Sequence, residues 1–352
     1  MSIFVDIEKK LGSFWLKMNF EAGEETLALL GASGCGKSMT LKCIGGIEKP
    51  DRGRIIVDGV TLFDSEKGIN LPPQKRSLGM MFQNYALFPN MTVEQNIRAG
   101  TKREKDKKER QKGIEEMMER FGLRELADHY PHQLSGGQQQ RTALARILIS
   151  TPRALLLDEP FCALDSHLRF RLEQEVREVI RSFNKTVLLV SHDRDEVYRM
   201  AQSIAVVNEG KVENLGSRDM VFADPKTVVA ARLTGCKNIS SIEKRDEYHV
   251  YAQDWGVELT TARQTGEAVA VGIRMHDIRQ GRGENSFHCR VIEEIENPFS
   301  YTIMLNPGDK EAGTSFGWEL DKESWRRMRA DTVEINIPPE SVLLLTKGNC
   351  CE

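Results

Sequence analysis

Short apolar runs, cut by charged and glycine-rich turns, open the chain. "TLALLG" (26–31) and "RIIVDG" (54–59) have the pattern of buried strands, and a helix is predicted between them from about Lys37. In "KREKDKKERQKGIEEMMERFGL" (102–123), Ile114, Met117, Met118 and Phe121 recur at helical spacing, predicting an amphipathic helix behind a solvated run. From 141 the order is helix, strand "ALLLD", helix "LRFRLEQEVREVIRSF", strand "TVLLVS", helix "RDEVYRMA" and strand "SIAVVNEG". Fully apolar strands alternating with helices predict an α/β fold built on a parallel sheet with crossover helices. After about 235 the pattern changes to short β-like runs, such as "YHVYAQDWGVELTT", "AVAVGIRMHDIRQG" and "SVLLLTKG", separated by Gly, Asp, Asn and Pro. The expectation is a first domain at 1–235 and a small β-barrel-like domain at 236–352.

Composition narrows the classes. The 352 residues are 40% hydrophobic and 29% charged, which is ordinary globular usage. Lys+Arg number 49 against Asp+Glu 52, so no strong global positive field points to nucleic acid. The charged N-terminus lacks a signal-peptide core, and no run approaches the ~20 apolar residues of a membrane span. A soluble, cytosolic chain is expected, reaching a membrane only by docking on another protein. Seven scattered cysteines without a CxxC pair fit reduced thiols better than a disulfide framework or a zinc site.

The chemistry concentrates at strand ends. "GASGCGKS" (Gly31, Ala32, Ser33, Gly34, Cys35, Gly36, Lys37, Ser38) follows an apolar strand and precedes a helix, the context of a phosphate-binding P-loop. Its glycines let backbone N–H groups curl around phosphate oxygens, and the helix adds its positive N-terminal end. Lys37 is expected on the β/γ-phosphates of ATP and Ser38 on Mg²⁺. "ALLLDEP" ends a buried strand in two acids: Asp158 for Mg²⁺ and Glu159 to orient or deprotonate the attacking water. His192 closes the next apolar strand, within reach of a γ-phosphate. Gln83 follows a shorter one, suited to the metal or the water.

A second glycine turn, "LSGGQ" (Leu134, Ser135, Gly136, Gly137, Gln138), opens another helix. In this order, P-loop, Gln83, "LSGGQ", "LLLDEP", "ALD" (163–165) and His192 resemble the ATPase subunit of an ABC transporter over about residues 1–235. The resemblance implies a P-loop ATPase domain with a helical subdomain, followed by a TOBE/MOP-type β-domain. It implies a head-to-tail homodimer in which Ser135, Gly136 and Gly137 serve the partner's ATP, and Asp165 couples the two sites. It further implies an N-terminal aromatic stacked on adenine, Phe14 or Trp15, with Phe14 taken first. Two integral-membrane permease subunits and, indirectly, an extracytoplasmic solute-binding protein would be the partners, at the cytoplasmic face of the membrane.

"DGVTLFDSEKGINLPPQKRSLGMMFQNYALFPNMTVEQNI" (58–97), "PFCALDSHLR" and "TGCKNIS" look like molybdate-importer ATPases. The cargo expectation is therefore molybdate or tungstate; sulfate or thiosulfate, sugar, polyamine and iron are the alternatives. In "GIRMHDI", Met275 and His276 replace the Pro-Glu usual at the entry of an oxyanion-type domain. ABC ATPases outside transport usually carry zinc motifs, long coiled coils or two ATPase units in one chain, and none is visible here.

Overall fold

Five parallel strands form one end of the main sheet in a computed structural model that describes residues 2–101, 106–161, 166–307 and 315–348. The chain divides into two compact units, 1–218 and 219–352. This division falls before the change of texture near 235, because the intervening residues are helices.

In the first unit a hairpin of β1 (Ile3–Leu11) and β2 (Phe14–Ala22) leads to β3 (Thr26–Leu30) and α1 (Lys37–Gly45). β4 (Arg52–Val57), β5 (Val60–Asp64), β6 (Ile69–Asn70), α2 (Pro73–Arg76) and β7 (Leu78–Met81) follow. A helical stretch carries α3 (Val93–Ala99), α4 (Lys107–Arg120) and α5 (Gly136–Leu148). The chain then returns to the sheet through β8 (Ala154–Asp158), α6 (Ser166–Phe183), β9 (Val187–Ser191), α7 (Arg194–Met200), β10 (Ser203–Asn208) and β11 (Lys211–Ser217).

The sheet has eleven strands in the order β6-β5-β4-β1-β2-β11-β10-β3-β9-β8-β7. Only β10-β3-β9-β8-β7 is the expected continuous parallel block. The β6-to-β2 wing is antiparallel. The physical difference is visible in burial. β3, β8 and β9 are buried at every position, whereas β2 alternates buried and exposed, as a strand covered on one face does. α4 buries Ile114 and Met118, two of the four apolar positions picked out by helical spacing, and Phe121 is buried just after it.

Arg76 closes α1 from below. Its guanidinium, 1% exposed, donates to the carbonyls of Leu71, Cys43 and Ile44 and to Asn70 Oδ1 at 2.7–2.8 Å. Cys43 and Ile44 lie in the last turn of α1, whose carbonyls have no partner inside the helix. Gly46 supplies the left-handed cap at φ 79°, and a Cβ there would come within 2.4 Å of Arg76 Nε.

The second unit begins on α8 (Arg218–Ala223), which crosses the division, and α9 (Val228–Leu233). Its strands are β12 (Asn238–Lys244), β13 (His249–Ala252), β14 (Val257–Thr260), β15 (Ala270–Ile273), β16 (Arg279–Gln280), β17 (Ser286–Glu296), β18 (Ser300–Pro307) and β19 (Phe316–Asp321); after α10 (Lys322–Met328) come β20 (Thr332–Asn336) and β21 (Leu343–Leu345). They form two five-stranded sheets, β14-β13-β12-β15-β21 and β16-β20-β17-β18-β19, around one core containing Trp255, Trp318 and Trp325. This is the β-rich, barrel-like domain expected from the turn spacing. Met275 packs against Gly317, while His276 is exposed. The buried thiols of Cys43, Cys236 and Cys289 are pushed up to about 12, 11 and 12 by burial, consistent with unreactive core residues.

Candidate nucleotide site

Register places the candidate residues along one edge. Leu30 pairs with Ser191, Asp158 with Val190, and Met81 with Leu157 in parallel alignment. Residues just beyond those positions (Gly31, His192, Glu159 and Gln83) therefore emerge together at the carboxyl ends of adjacent strands. That edge is where open parallel sheets bind ligands.

The loop 31–38 connects β3 to α1. Gly34 and Gly36 have φ of 82° and 105°, conformations that side chains with a Cβ rarely take. A Cβ on Gly36 would also lie 2.5 Å from Leu16 Cδ1, so the loop closes only around glycine there. Lys37 is buried, and its ammonium donates to the carbonyls of Gly31 and Ala32 at 2.7 and 2.8 Å, folding back across the loop. Cys35 is buried beneath the loop, with Sγ 3.7 Å from Lys37 Nζ.

Asp158, 6% exposed, accepts a 2.7 Å hydrogen bond from Ser38 Oγ. Burial pushes its carboxyl above the usual range, with the Ser38 hydrogen bond opposing. A buried carboxylate and hydroxyl in contact are hard oxygen donors short of a cation, so these residues fit Mg²⁺. Gln83 is exposed and makes no hydrogen bond among the described residues.

Glu159 has φ 44°, an uncommon backbone conformation for a residue with a side chain, and its N–H donates to Val190 O at 3.0 Å. This turn brings its carboxylate to His192, whose Nδ1 lies 3.1 Å from Oε1. Nothing in the sequence signals that contact, because it depends on the backbone of the Glu159 turn. The backbone on either side of His192 is tied as well. Ser191 Oγ donates to Glu196 Oε2 at 3.1 Å and accepts from Asp193 N–H at 3.0 Å. Asp193 caps α7.

Phe14 and Trp15 point to opposite faces of β2. Phe14 shares its face with Leu16 and lies against Gly36. Trp15 is 51% exposed, with Lys10 Nζ 5.6 Å from its ring centroid. Phe14 is thus the aromatic on the P-loop side.

The second glycine turn opens α5. Ser135 and Gln138 form a reciprocal capping box: Gln138 N–H donates to Ser135 Oγ, and Ser135 N–H donates to Gln138 Oε1. Leu134 is buried, and Gly136 is the first helical residue. Gly137 also has a packing role, since a Cβ there would lie 3.1 Å from Leu172 of α6. Asp165 lies outside the described residues.

Fold and site together define a P-loop nucleoside triphosphatase, with ATP and Mg²⁺ as its nucleotide and metal. The family model described as ABC transporter matches residues 16–162. The putrescine transport ATP-binding protein PotG of Escherichia coli is 45% identical over 216 residues, 61% of this chain and 56% of PotG, so the chain spans little more than half of that relative. The trehalose/maltose import ATP-binding protein MalK of Thermococcus litoralis is 40% identical over 321 residues, 85% of this chain and 86% of MalK. The molybdenum import ATP-binding protein ModC of Paramagnetospirillum magneticum is 39% identical over 221 residues, 63% of this chain and 61% of ModC. A dimeric post-hydrolysis structure of the ATP-binding cassette MJ0796, bound to ADP and Pi, superposes with a TM-score of 0.52 at 29% identity, covering 62% of this chain and 99% of that one. The chain belongs to the ABC transporter ATP-binding family. Molybdate is not singled out among these relatives.

Proposed function

We propose that the chain is the ATP-hydrolysing subunit of an importer, working as a homodimer on two permease subunits at the cytoplasmic face of a membrane. The observation that carries this reading is the common edge formed by Lys37, Ser38, Asp158, Glu159 and His192. MgATP bound there supplies the phosphoryl group and a cation that draws charge from its oxygens. Lys37 would hold the β/γ-phosphates; Ser38 and Asp158, with Gln83, would hold the ion. Glu159 takes the proton of the attacking water. His192 would donate from Nδ1 to the Glu159 carboxylate and fix its position.

Each chain carries one P-loop and one "LSGGQ", so a second copy would complete each site, and the dimeric MJ0796 structure supports this arrangement. Phe14 would stack on adenine. Among the described residues, no helix is long and apolar enough to cross a membrane, so membrane attachment would come through partners. A groove of about 740 Å³, lined by Ile47, Met80, Phe82, Phe88 and Ile147 beside Gln83, offers an apolar seat for a permease loop. Ile47 and Phe88 are nearly half exposed within it.

The cargo follows the permease and the solute-binding protein, which contact it directly. The residues that suggested molybdate include Arg76, which holds the last carbonyls of α1, and Leu71, whose carbonyl accepts from Arg76, and that is a folding role. Relatives named for polyamine, sugar, iron and molybdenum import all match at comparable identity. Molybdate therefore stands beside these other classes. ATPase activity of the complete transporter, measured with molybdate, putrescine, trehalose and ferric iron in turn, assigns the cargo. Hydrolysis that no membrane partner or cargo alters would overturn the importer reading.

A further inference from the structure

The segment after Gln83 is tied to the helix that begins at the signature. Tyr85 and Ala86 have φ of 59° and 43°, two consecutive non-glycine residues in the left-handed region. Arg146, near the C-terminal end of α5, takes both of their carbonyls: Nη1 donates to Ala86 O at 2.8 Å and Nη2 to Tyr85 O at 3.0 Å. Its guanidinium carbon also lies 5.2 Å from the Phe88 ring centroid, in the groove beside Gln83. Burial pushes the guanidinium below the usual arginine value. Asn96 of α3 continues the attachment, accepting from Phe88 N–H and donating to the carbonyls of Phe88, Met91 and Thr92. At its other end, Gln83 follows β7, which is locked to β8 by parallel pairing. The chain therefore passes from the sheet to the helical stretch across Gln83, and Tyr85, Ala86, Phe88, Met91 and Thr92 are held by Asn96 of α3 and Arg146 of α5.

We propose that Arg146 is a positioning residue that links the segment 85–88 to the signature, so that displacement of the groove is carried along α5 to Ser135–Gly137. Helix α5 is continuous from Gly136 to Leu148, and Arg146 lies eleven residues from Ser135, about 16 Å along the axis. A hydrogen-bonded helix of that length transmits a push at one end with little compression. Because a guanidinium can hold two carbonyls with fixed geometry, the attachment constrains orientation as well as distance.

This inference rests on the reading that the signature serves the partner's ATP. The test is steady-state hydrolysis together with MgATP affinity by calorimetry, on the full chain, for Arg146→Gln and Arg146→Lys. The expected result for Arg146→Gln is at least about a tenfold loss of kcat with MgATP affinity within about twofold of the parent, because Lys37 and Ser38 are untouched. Arg146→Lys, which retains a charged donor for one of the two carbonyls, should recover part of kcat. A kcat within twofold of the parent for Arg146→Gln overturns the proposal. So does a loss of affinity that parallels the loss of kcat, which marks a purely structural arginine. If Arg146→Gln does not fold, Arg146→Lys decides alone: full activity overturns the link, and lowered kcat at unchanged affinity supports it. Ser135→Arg separates the two readings. If it hydrolyses normally, the two-chain site fails. If it is inactive while Arg146→Gln is fully active, only the link fails.

Discussion

His192 Nδ1 stands 3.1 Å from Glu159 Oε1, joining the ends of two adjacent parallel strands. The carboxylate proposed to receive a proton is thereby held by the imidazole at the end of the next strand. Glu159→Gln removes the base and keeps a similar shape. It should lower kcat by at least about 100-fold while retaining ATP binding, so that ATP-bound dimers accumulate on gel filtration. His192→Ala should also lower kcat with little effect on ATP affinity. Rapid turnover by Glu159→Gln would remove Glu159 from the mechanism.

Lys37 is the cation of the P-loop, held by the Gly31 and Ala32 carbonyls. Charge-assisted hydrogen bonds are worth about 1.5–3 kcal/mol, so Lys37→Ala should weaken MgATP binding by roughly 10- to 100-fold. Calorimetry measures this directly. Thermal stability should change much less than affinity.

Ser135 and Gln138 cap each other in a single chain, which leaves the P-loop independent of the signature. Ser135→Arg should therefore preserve ATP binding by one subunit and abolish hydrolysis. Mixing it with a Lys37→Ala chain tests the assembly. Head-to-tail pairing predicts partial recovery, because a mixed dimer has one site with an intact P-loop and an intact signature.

Glu196 is 2% exposed, and burial pushes its carboxyl up to about 8 against the opposing Ser191 hydrogen bond and Arg169 charge. Between the ordinary carboxylate range and about 8, the folded chain keeps a proton that the unfolded chain releases. Stability from this group therefore falls as pH rises through that window and levels off above it. Glu196→Gln cannot ionise. Its melting temperature relative to the parent should rise steadily from pH 5 to pH 8. A constant difference would show that Glu196 is ionised throughout.

Arg76 holds the C-terminal end of α1 with four hydrogen bonds. Arg76→Ala leaves buried carbonyls unsatisfied and should cost about 2–5 kcal/mol in a denaturation experiment. Arg76→Lys should recover only part, since one ammonium cannot span these acceptors. Cargo selectivity of the assembled transporter should be unchanged by Arg76→Lys.

The sequence alone determined the motifs and their order, because P-loop chemistry is local. A glycine turn between an apolar strand and a helix suffices to announce Lys37 and Ser38, and acids at a strand end announce Asp158 and Glu159. Full burial of β3, β8 and β9 was likewise legible, since a strand covered on both faces is apolar along its middle and keeps polar residues only at its ends. The antiparallel wing was not, because one-sided burial in β1 and β2 leaves strand pairing to long-range contacts. Tertiary structure alone decided the relations between segments distant in sequence. Register brought Gln83, Glu159 and His192 to one edge. The left-handed turn at Glu159 aimed its carboxylate at His192. Arg146 and Arg76 read from sequence as ordinary helix cations, and only packing showed which carbonyls they hold. These choices depend on side-chain direction and chain crossing, which spacing along one strand or one helix does not encode.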